Sequence, residues 1–338
     1  MSERGGMALE KNFAGRPYVI RDMVSGDAPE VLRLFAESFG HLPGRDWFDW
    51  KYGVGQSGAL GLWDKTTGRL MAHCAGIPRA IAWRGEAVTG LQIGDVMVSP
   101  EIRGLVMRQG PFQQICSGFF AARVGAKRSY RFAWGFPNQR HLRLGVTLGL
   151  YWDAGVISQL SWPARRERGS PWYSFTALSG NAENFDSQVD MAWQAMARDL
   201  PDYVLGVRDA NYVRWRFLSR PDRQYRLFAL RRRWTGRMLA LVVMRIEEGK
   251  AEAELLDVVG PRSAFKHAVR AARNQAAGAG AGCLTAWASP ALAELACGTG
   301  ATVTTSGASL AVIKESDFSG EEIAAVKWWW MGGDTDFL

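Results

Sequence analysis

A loop that contains glycine and arginine precedes a predicted helix in the first third of the chain. The loop runs from Arg103-Gly104 to Gly110-Pro111, and the apolar residues from Phe112 onward recur with the spacing of an amphipathic helix. Pro111 suits the first helical position, where a missing N–H costs nothing. Free backbone N–H groups, the positive end of the helix dipole and arginine side chains together form the kind of site that binds a pyrophosphate.

The neighbouring stretches predict the elements that position this loop. Residues 91–98 are mostly apolar and predict a strand, which Ser99-Pro100 ends because proline cannot donate to a β-ladder. Residues 130–134 predict a second strand, and Gly135-Phe136-Pro137-Asn138 breaks it before a short helix over about residues 139–147. The order strand, phosphate loop, helix, strand, Asn-containing turn and helix suits a CoA-type cofactor.

These residues resemble a known family, the GNAT acyltransferases. The run Val98-Ser99-Pro100-Glu101-Ile102-Arg103-Gly104, followed by Gly110-Pro111-Phe112, resembles the acyl-CoA loop of that family. The run Gly135-Phe136-Pro137-Asn138, with Leu148-Gly149-Leu150 after it, resembles the signature of one bacterial branch that contains tandem proteins. The resemblance covers most of the first half of the chain.

The resemblance implies a set of residues that bind acetyl-CoA or another acyl-CoA. Backbone N–H groups of Met97 and Val98 would donate to the thioester oxygen where the strand splays, and Asn138 would hydrogen-bond the pantetheine arm. The alternative for Asn138 is an N-cap of the helix that follows it. The complete predicted set is Met97, Val98, Arg103, Gly104, Arg108, Gln109, Gly110, Pro111, Phe112 and Asn138.

Two features depart from the family pattern. The family's loop is compact, whereas residues 105–109 lie here between Arg103-Gly104 and Gly110-Pro111. Either the loop bulges, or Arg108 rather than Arg103 faces the phosphates. The family often places a tyrosine, the acid for the departing thiolate, seven residues after the asparagine. That position is Gly145 here, so a proton donor must lie elsewhere.

Three titratable residues are the candidates for acid–base catalysis. Asp95 is the candidate base, because a carboxylate on a mostly apolar strand is a stronger base than one in water. The alternative is a structural aspartate, since Asp257 takes the equivalent place in the second half. His141 titrates near neutral pH, and Tyr151 is the candidate replacement for the missing acid. Their alternatives are an ordinary packed histidine and a strand aromatic.

Three stretches of the first half recur in the second half at offsets of 162 to 168 residues. Residues 46–52, 67–72 and 93–96 correspond to residues 211–217, 235–240 and 255–258. The second copy lacks an Arg-Gly pair and a Gly-rich loop after Asp257. We therefore expect an α/β fold (mixed α+β) of two tandem GNAT-like domains, each a mixed twisted sheet with helices on both faces. Residues 1–180 would hold the acyl-CoA site and, over residues 161–180, a linker that packs in places. Residues 181–338 would form a degenerate copy.

Length and composition agree with two cores and an anionic ligand. The 338 residues exceed the ~250–300 at which single cores stop growing. The apolar run at residues 238–244 is far shorter than the ~20 residues of a membrane span. The four cysteines lack the spacing of a metal or disulfide set, so we expect reduced, buried thiols, no metal and a cytoplasmic protein. The net charge of +8 is compatible with an anionic ligand such as CoA, with tRNA, or with no specific partner.

The sequence predicts an N-acyltransferase that moves an acyl group, with acetyl as the first choice, directly from acyl-CoA to a small-molecule amine. We expect no membrane partner and no nucleic-acid partner, although two alternatives stay open. One is an aminoacyl-tRNA-dependent transferase with two GNAT-like domains, which the basic charge favours. The other is a non-catalytic CoA- or ligand-binding module, which Gly145 and the altered loop favour. The amine, the acyl chain length and the oligomeric state are left open.

Overall fold

The structure, a computed structural model, describes residues 8–53, 58–104, 109–335 and 337–338. Its first half alternates strands with four helices. The elements are β1 Ala8–Phe13, β2 Arg16–Asp22, α1 Ala28–Phe39, α2 Arg45–Tyr52, β3 Leu60–Asp64, β4 Leu70–Trp83, β5 Glu86–Val98, α3 Pro111–Arg123, β6 Ala133–Gly135, α4 Gln139–Thr147 and β7 Tyr151–Pro163.

The second half contains a similar succession of elements. They are β8 Tyr173–Ala177, α5 Phe185–Asp199, β9 Tyr203–Gly206, α6 Ala210–Val213, β10 Arg226–Arg232, β11 Met238–Arg245, β12 Glu252–Val259, α7 Arg262–Gly278, β13 Cys283–Ala288, α8 Pro290–Cys297, β14 Thr302–Ile313, α9 Gly320–Ala325 and β15 Lys327–Trp329. A π-helical turn, Arg214–Leu218, continues α6. The predicted helices over residues 139–147 and from Pro111 onward are therefore present with nearly the expected bounds.

The chain divides into two compact units, and neither is continuous in sequence. Unit one comprises Met1–Arg79, Thr89–Ala154 and Ala311–Ile323, and unit two comprises Ala80–Val88, Gly155–Leu310 and Ala324–Leu338. This division differs from the expected cut at residue 180. The stretch expected as a linker, residues 161–180, contains the end of β7 and all of β8, and both belong to unit two.

Unit one contains a mixed sheet in the order β1-β2-β3-β4-β5-β6, with the end of β14 next to β6. The β5–β6 pair is parallel, and Ala311 and Val312 of β14 pair antiparallel with β6. Leu70 and Met71 of β4 belong to two different apolar clusters, because successive strand residues point to opposite faces of a sheet. Helices α1 and α2 cover the cluster of Leu70, and α3 covers the cluster of Met71. The expected helices on both faces are confirmed in this unit.

Unit two contains a mixed sheet in the order β7-β13-β12-β11-β10-β8. The β12–β13 pair is parallel, and β7 pairs antiparallel with β13. The element order from β3 to β7 recurs from β10 to β14. The turn between the first two strands is also the same in both. Gly68 N–H donates to Asp64 O and Gly236 N–H to Arg232 O, and both glycines have the positive φ that these turns require.

Two general expectations can be compared with the structure. Among the described residues, no helix is both long enough and apolar enough to cross a bilayer. Cys74 and Cys116 are buried, as expected, whereas Cys283 is half-buried and Cys297 is exposed. The expectation of four buried thiols is therefore wrong for the second half, because Cys297 ends helix α8 at the protein surface.

Candidate functional site

The site expected from the sequence lies in unit one, where strands β5 and β6 stop pairing. Their parallel ladder joins Leu91 to Ala133 and Gln92 to Trp134, and no further β5–β6 pair occurs among the described residues. Asp95 has a positive φ of 51°, which interrupts the regular extended backbone of β5. Residues 93–96 are partly exposed although Leu91 and Met97 on either side are buried. One edge of β5 therefore becomes accessible in the middle of a buried strand.

Two helices begin close to each other in this unit, since the rings of Phe112 and His141 in their first turns have centroids 5.2 Å apart. Gly110 is the N-cap of α3 with Pro111 in its first turn, and Asn138 is the N-cap of α4. Neither helix carries an acidic side chain in its first turn. The N–H groups of these first turns and the positive ends of the helix dipoles therefore have no carboxylate from their own first turn, which favours a bound anion.

A glutamine connects the loop before α3 with the loop after α4. Gln109 has a positive φ of 68°, and its backbone N–H donates to Gln113 Oε1 over 2.6 Å. Gln113 Nε2 donates in turn to Leu148 O over 3.3 Å. These bonds hold the turn at Gln109 and Gly110 in place, so that the start of α3 is fixed before any ligand arrives.

The predicted loop residues differ in their surroundings. The guanidinium of Arg103 donates to Val98 O over 3.0 and 3.3 Å, so Arg103 lies at the end of β5. The Met97 side chain is buried in the cluster under α1 and α2, and the half-buried Val98 packs against the cluster under α3. Gly104 is exposed in a turn. Arg108, the alternative phosphate ligand, lies outside the described residues.

Asn138 caps helix α4, as its alternative interpretation predicts. Its Oδ1 accepts the backbone N–H of His141 over 2.9 Å. The amide nitrogen of the same side chain has no hydrogen-bond partner among the described residues, and the residue is exposed. Capping therefore uses only the acceptor of Asn138 and leaves its donor for a ligand.

Phe112, His141 and Tyr151 form a row of rings that starts at the first turn of α3. The ring centroids of Phe112 and His141 are 5.2 Å apart, and those of His141 and Tyr151 are 6.1 Å apart. The Nε2 atom of His141 is buried and has no hydrogen-bond partner among the described residues. Burial lowers the pKa of His141, so this imidazole is neutral at physiological pH.

Tyr151 occupies the space above Gly145. A Cβ atom added at Gly145 would overlap the Tyr151 ring, so the phenol fills the volume that a side chain at position 145 would need. Burial, together with the nearby thiols of Cys116 and Cys74, raises the pKa of Tyr151 well above its usual range. The phenol therefore stays protonated, which is the state that a proton donor requires.

Asp95 lies in a cluster of polar groups that the sequence did not reveal. Lys51 Nζ donates to Asp95 Oδ2 over 2.7 Å, and the Tyr52 hydroxyl donates to the same oxygen. The side chains of Lys51 and Asp95 are only 1% and 9% exposed. Asp95 O accepts a hydrogen bond from His73 Nδ1 over 2.8 Å, which fixes the proton of that imidazole on Nδ1.

One signal in the sequence could have identified Lys51. It stands in a run of aromatic residues on helix α2, and a lysine on a buried helix face needs a carboxylate partner. Asp95, the only carboxylate of β5 beyond Glu86, is that partner. His73 gave no such signal, because nothing in its strand indicates that it faces the backbone of Asp95.

His73 should make the stability of the protein sensitive to acid. Burial lowers its pKa in the folded protein, whereas the unfolded chain has a histidine pKa of about 6.5. Below about pH 6.5 the unfolded chain binds a proton that the folded protein does not, so the free energy of unfolding falls by up to about 1.4 kcal/mol per pH unit.

Urea denaturation at several pH values from neutral to mildly acidic checks this expectation, with His73→Asn as the comparison. Asparagine keeps a donor for Asp95 O but does not titrate, so its loss of stability in acid should be smaller. An equal loss in both proteins would show that His73 does not contribute.

Comparisons with known proteins agree with this geometry. Residues 19–142 match the family described as acetyltransferase (GNAT) domain, and that stretch includes β5, the start of α3 and Asn138. No curated protein matches the chain. A conserved protein of unknown function from Enterococcus faecalis V583, described as a probable N-acyltransferase, has a similar structure. It is 14% identical with a TM-score of 0.66, over 91% of this chain and 73% of that one.

Two further solved structures have the same fold. A GCN5-related N-acetyltransferase from Kribbella flavida is 17% identical with a TM-score of 0.60, over 90% of this chain and 73% of that one. The Saccharomyces cerevisiae N-myristoyltransferase with bound myristoyl-CoA and inhibitors is 11% identical with a TM-score of 0.55, over 90% of this chain and 80% of that one. At such low identity these similarities show the fold alone. The chain thus has a GNAT-type α/β fold, and its residues 19–142 match a GNAT acetyltransferase domain.

Proposed function

We propose that the chain is an N-acyltransferase that moves an acyl group, acetyl in the first instance, directly from acyl-CoA to a small amine. One observation carries this proposal. The β5–β6 ladder ends after Gln92 and Trp134, which leaves residues 93–96 of β5 partly exposed, and two helices without acidic first turns begin at Gly110 and Asn138 in the same unit. A nucleotide thioester needs such an extended edge for its amide-rich arm and such helix starts for its phosphates.

The residues at this edge fit an acyl-CoA by their donor types. The backbone N–H groups at the start of α3 would bind the pyrophosphate, with Arg103 adding charge from the end of β5. Asn138 would donate its amide nitrogen to a carbonyl of the pantetheine arm. The N–H groups of Met97 and Val98 would stabilise the developing oxyanion. Bound acyl-CoA supplies the activated acyl group, and every other role falls to residues of the chain.

Acid–base chemistry would use the three titratable candidates. Asp95 would accept the proton of the amine, held in position by Lys51 and Tyr52. Tyr151, protonated and set over Gly145, would donate to the thiolate, with the neutral His141 ring between it and Phe112. Direct transfer is favoured over a covalent enzyme because Cys116 is buried, and burial raises the pKa of its thiol well above the usual range.

Unit two supports the proposal that only one copy is active. Its β12–β13 ladder stops after Glu254 and Thr285, in the same way as β5–β6. The C-terminal segment, residues 328–334, fills the space beyond that point. Met331 pairs with Ala288, the Ser289 hydroxyl donates to Trp328 O, and a Cβ at Gly333 would come within 3.0 Å of Leu256 O. Asp257, the counterpart of Asp95, is fully buried against Arg208.

An exchange of Gly110 for aspartate tests the phosphate site. Aspartate is a preferred N-cap residue, so Gly110→Asp should retain the start of α3, and thermal denaturation of the variant checks that it is folded. Its carboxylate would stand where we place the pyrophosphate, and the affinity for acetyl-CoA should fall by about 10- to 100-fold. Calorimetric titration with acetyl-CoA measures this. Unchanged affinity would place the phosphates elsewhere, and no binding by the wild type at millimolar acetyl-CoA would refute the enzyme proposal.

Replacement of Asn138 separates capping from cofactor binding. Asn138→Asp keeps the cap acceptor but removes the amide donor, so the free energy of unfolding should stay within about 0.5 kcal/mol of wild type. The affinity for acetyl-CoA should nevertheless fall, by about tenfold. Asn138→Ala, the comparison, should lose about 1 kcal/mol of stability as well. If Asn138→Asp binds acetyl-CoA normally, Asn138 only caps the helix.

The amine acceptor can be sought by the release of free CoA thiol from acetyl-CoA with a panel of small amines. A tRNA gel shift with salt titration addresses the aminoacyl-tRNA alternative, because a tRNA-dependent enzyme should show a steep salt dependence. Thiol release with an amine but not without it supports the proposed function. Binding of acetyl-CoA with no turnover on any amine would favour the binding module.

A further inference from the structure

Unit two contains a cavity of about 370 Å³, whose lining residues all lie between Glu167 and Gly278. Helix α7 forms one wall, and the edge strand β8 with the segment before it forms the other. This volume falls in the range of sites that bind small organic molecules. None of the residues assigned above to acyl-CoA or to acid–base chemistry lines it.

The cavity carries more positive charge than its single carboxylate can balance. Arg168, Arg233 and Arg270 line it together with Glu167. Glu167 forms an ion pair with Arg270 Nε over 2.7 Å. In the part of the chain that the structure describes, no carboxylate pairs with Arg168 or with Arg233. Two guanidinium groups thus remain uncompensated at one concave site.

Arg233 is held in place by the segment before β8. Its Nε donates to Ser170 O over 3.0 Å, and its backbone N–H donates to Trp172 O over 2.9 Å. A Cβ added at Gly169 would lie 3.8 Å from Arg233 Nη2, so this guanidinium lies along the Gly169 backbone. The bonds use only Nε of the guanidinium and leave its terminal nitrogens as donors.

Part of the cavity lining is apolar and aromatic. Tyr173 packs against the His267 ring, with centroids 4.4 Å apart, and Phe175 stacks on Phe228 at 4.9 Å. Leu230 adds an aliphatic surface. Burial and the neighbouring Lys266 and Arg270 lower the pKa of His267, so the imidazole ring is uncharged at neutral pH. The cavity lining therefore combines apolar and aromatic side chains with guanidinium groups.

We propose that this cavity is a ligand site for a small organic phosphate monoester, separate from the acyl-CoA site. A phosphate monoester carries about −1.5 to −2 charge at neutral pH, which matches the two uncompensated guanidinium groups. Guanidinium groups bind phosphate oxygens in bidentate geometry. The organic part of the ligand packs against Phe175 and Leu230. The proposal holds whether or not unit one transfers acyl groups.

Calorimetry on the full chain with phenyl phosphate tests the site. Phenyl phosphate should bind at one site per chain, at least about tenfold more tightly than inorganic phosphate, which lacks the apolar part. Phenol, which lacks the charge, should show no saturable binding. The double variant R168Q/R233Q should weaken phenyl phosphate binding by at least about tenfold. R226Q/R237Q removes the same charge from exposed positions outside the cavity and should bind within about twofold of wild type.

A second arm distinguishes a soluble ligand from a lipid headgroup. Sedimentation with phosphatidylcholine vesicles that contain phosphatidic acid, a phosphate monoester lipid, is compared with phosphatidylcholine alone. The site is supported if R168Q/R233Q loses the binding and R226Q/R237Q retains it. Binding to the vesicles would then indicate a lipid headgroup as the ligand, and binding to phenyl phosphate alone would indicate a soluble ligand. Absence of both kinds of binding at millimolar ligand, or equal loss in both variants, overturns the proposal. Thermal denaturation of both variants confirms that they are folded.

Discussion

Replacing Lys51 by methionine is expected to destabilise the protein by about 3–5 kcal/mol, because Asp95 would lose a buried cation at 2.7 Å. The converse variant, Asp95→Asn, should cost a similar amount. Asparagine is nearly isosteric with aspartate and tolerates the positive φ of this position, so the loss would come from the charge. Urea denaturation at neutral pH measures both values.

The double variant K51M/D95N identifies the origin of the loss. Because it leaves neither charge unpaired, its destabilisation should be smaller than the sum of the single variants by about 3 kcal/mol or more. The exposed pair Arg45–Asp49 on the same helix is the matched control, and its coupling should be about 0.3–0.5 kcal/mol. Equal coupling free energies for the Lys51–Asp95 and Arg45–Asp49 pairs would show that the Lys51–Asp95 contact is not a buried ion pair in solution.

The same variants distinguish a base from a structural aspartate. If Asp95 accepts the amine proton, K51M/D95N should lose about 10²- to 10⁴-fold in kcat and should lack the acid limb of the pH–rate profile. A structural Asp95 would instead leave the folded double variant with an unchanged pH profile.

Replacing Gly145 by alanine is expected to destabilise the protein by about 2–3 kcal/mol, although alanine is the better helix former. The added methyl group would overlap the ring of Tyr151, which is fixed in the core under α3. Gly118→Ala is the control. It also lies inside a helix, but its Cβ would meet only Leu60 Cδ2 at 3.5 Å, so this variant should gain up to about 1 kcal/mol. Thermal denaturation compares the two, and equal effects would contradict the Tyr151 packing.

Tyr151→Phe then tests the chemical role of the phenol with almost no change in packing. If Tyr151 protonates the thiolate, kcat for acyl transfer should fall by about 10²-fold or more with the KM for acetyl-CoA unchanged. Full activity of this variant would show that the Tyr151 phenol is not the acid.

Much of the site was predictable because it depends on local sequence. Gly110-Pro111 and Asn138 start helices for reasons that lie within a few residues, namely proline at the first turn and a side-chain cap. Asp95 was identified from its position on an apolar strand. Its partners Lys51, Tyr52 and His73 come from distant stretches, and no spacing rule connects them.

The sequence alone predicted most of the strands and helices, the glycine- and arginine-containing loop before α3, and that the element order occurs twice. Tertiary structure alone decided that Tyr151 fills the space over Gly145, that residues 328–334 close the corresponding opening of unit two, and how the units divide the chain. Helix starts, turns and strand patterns follow from neighbours in sequence. The pairing of β14 with β6 and of β7 with β13 depends on which exposed strand edge each segment meets in three dimensions.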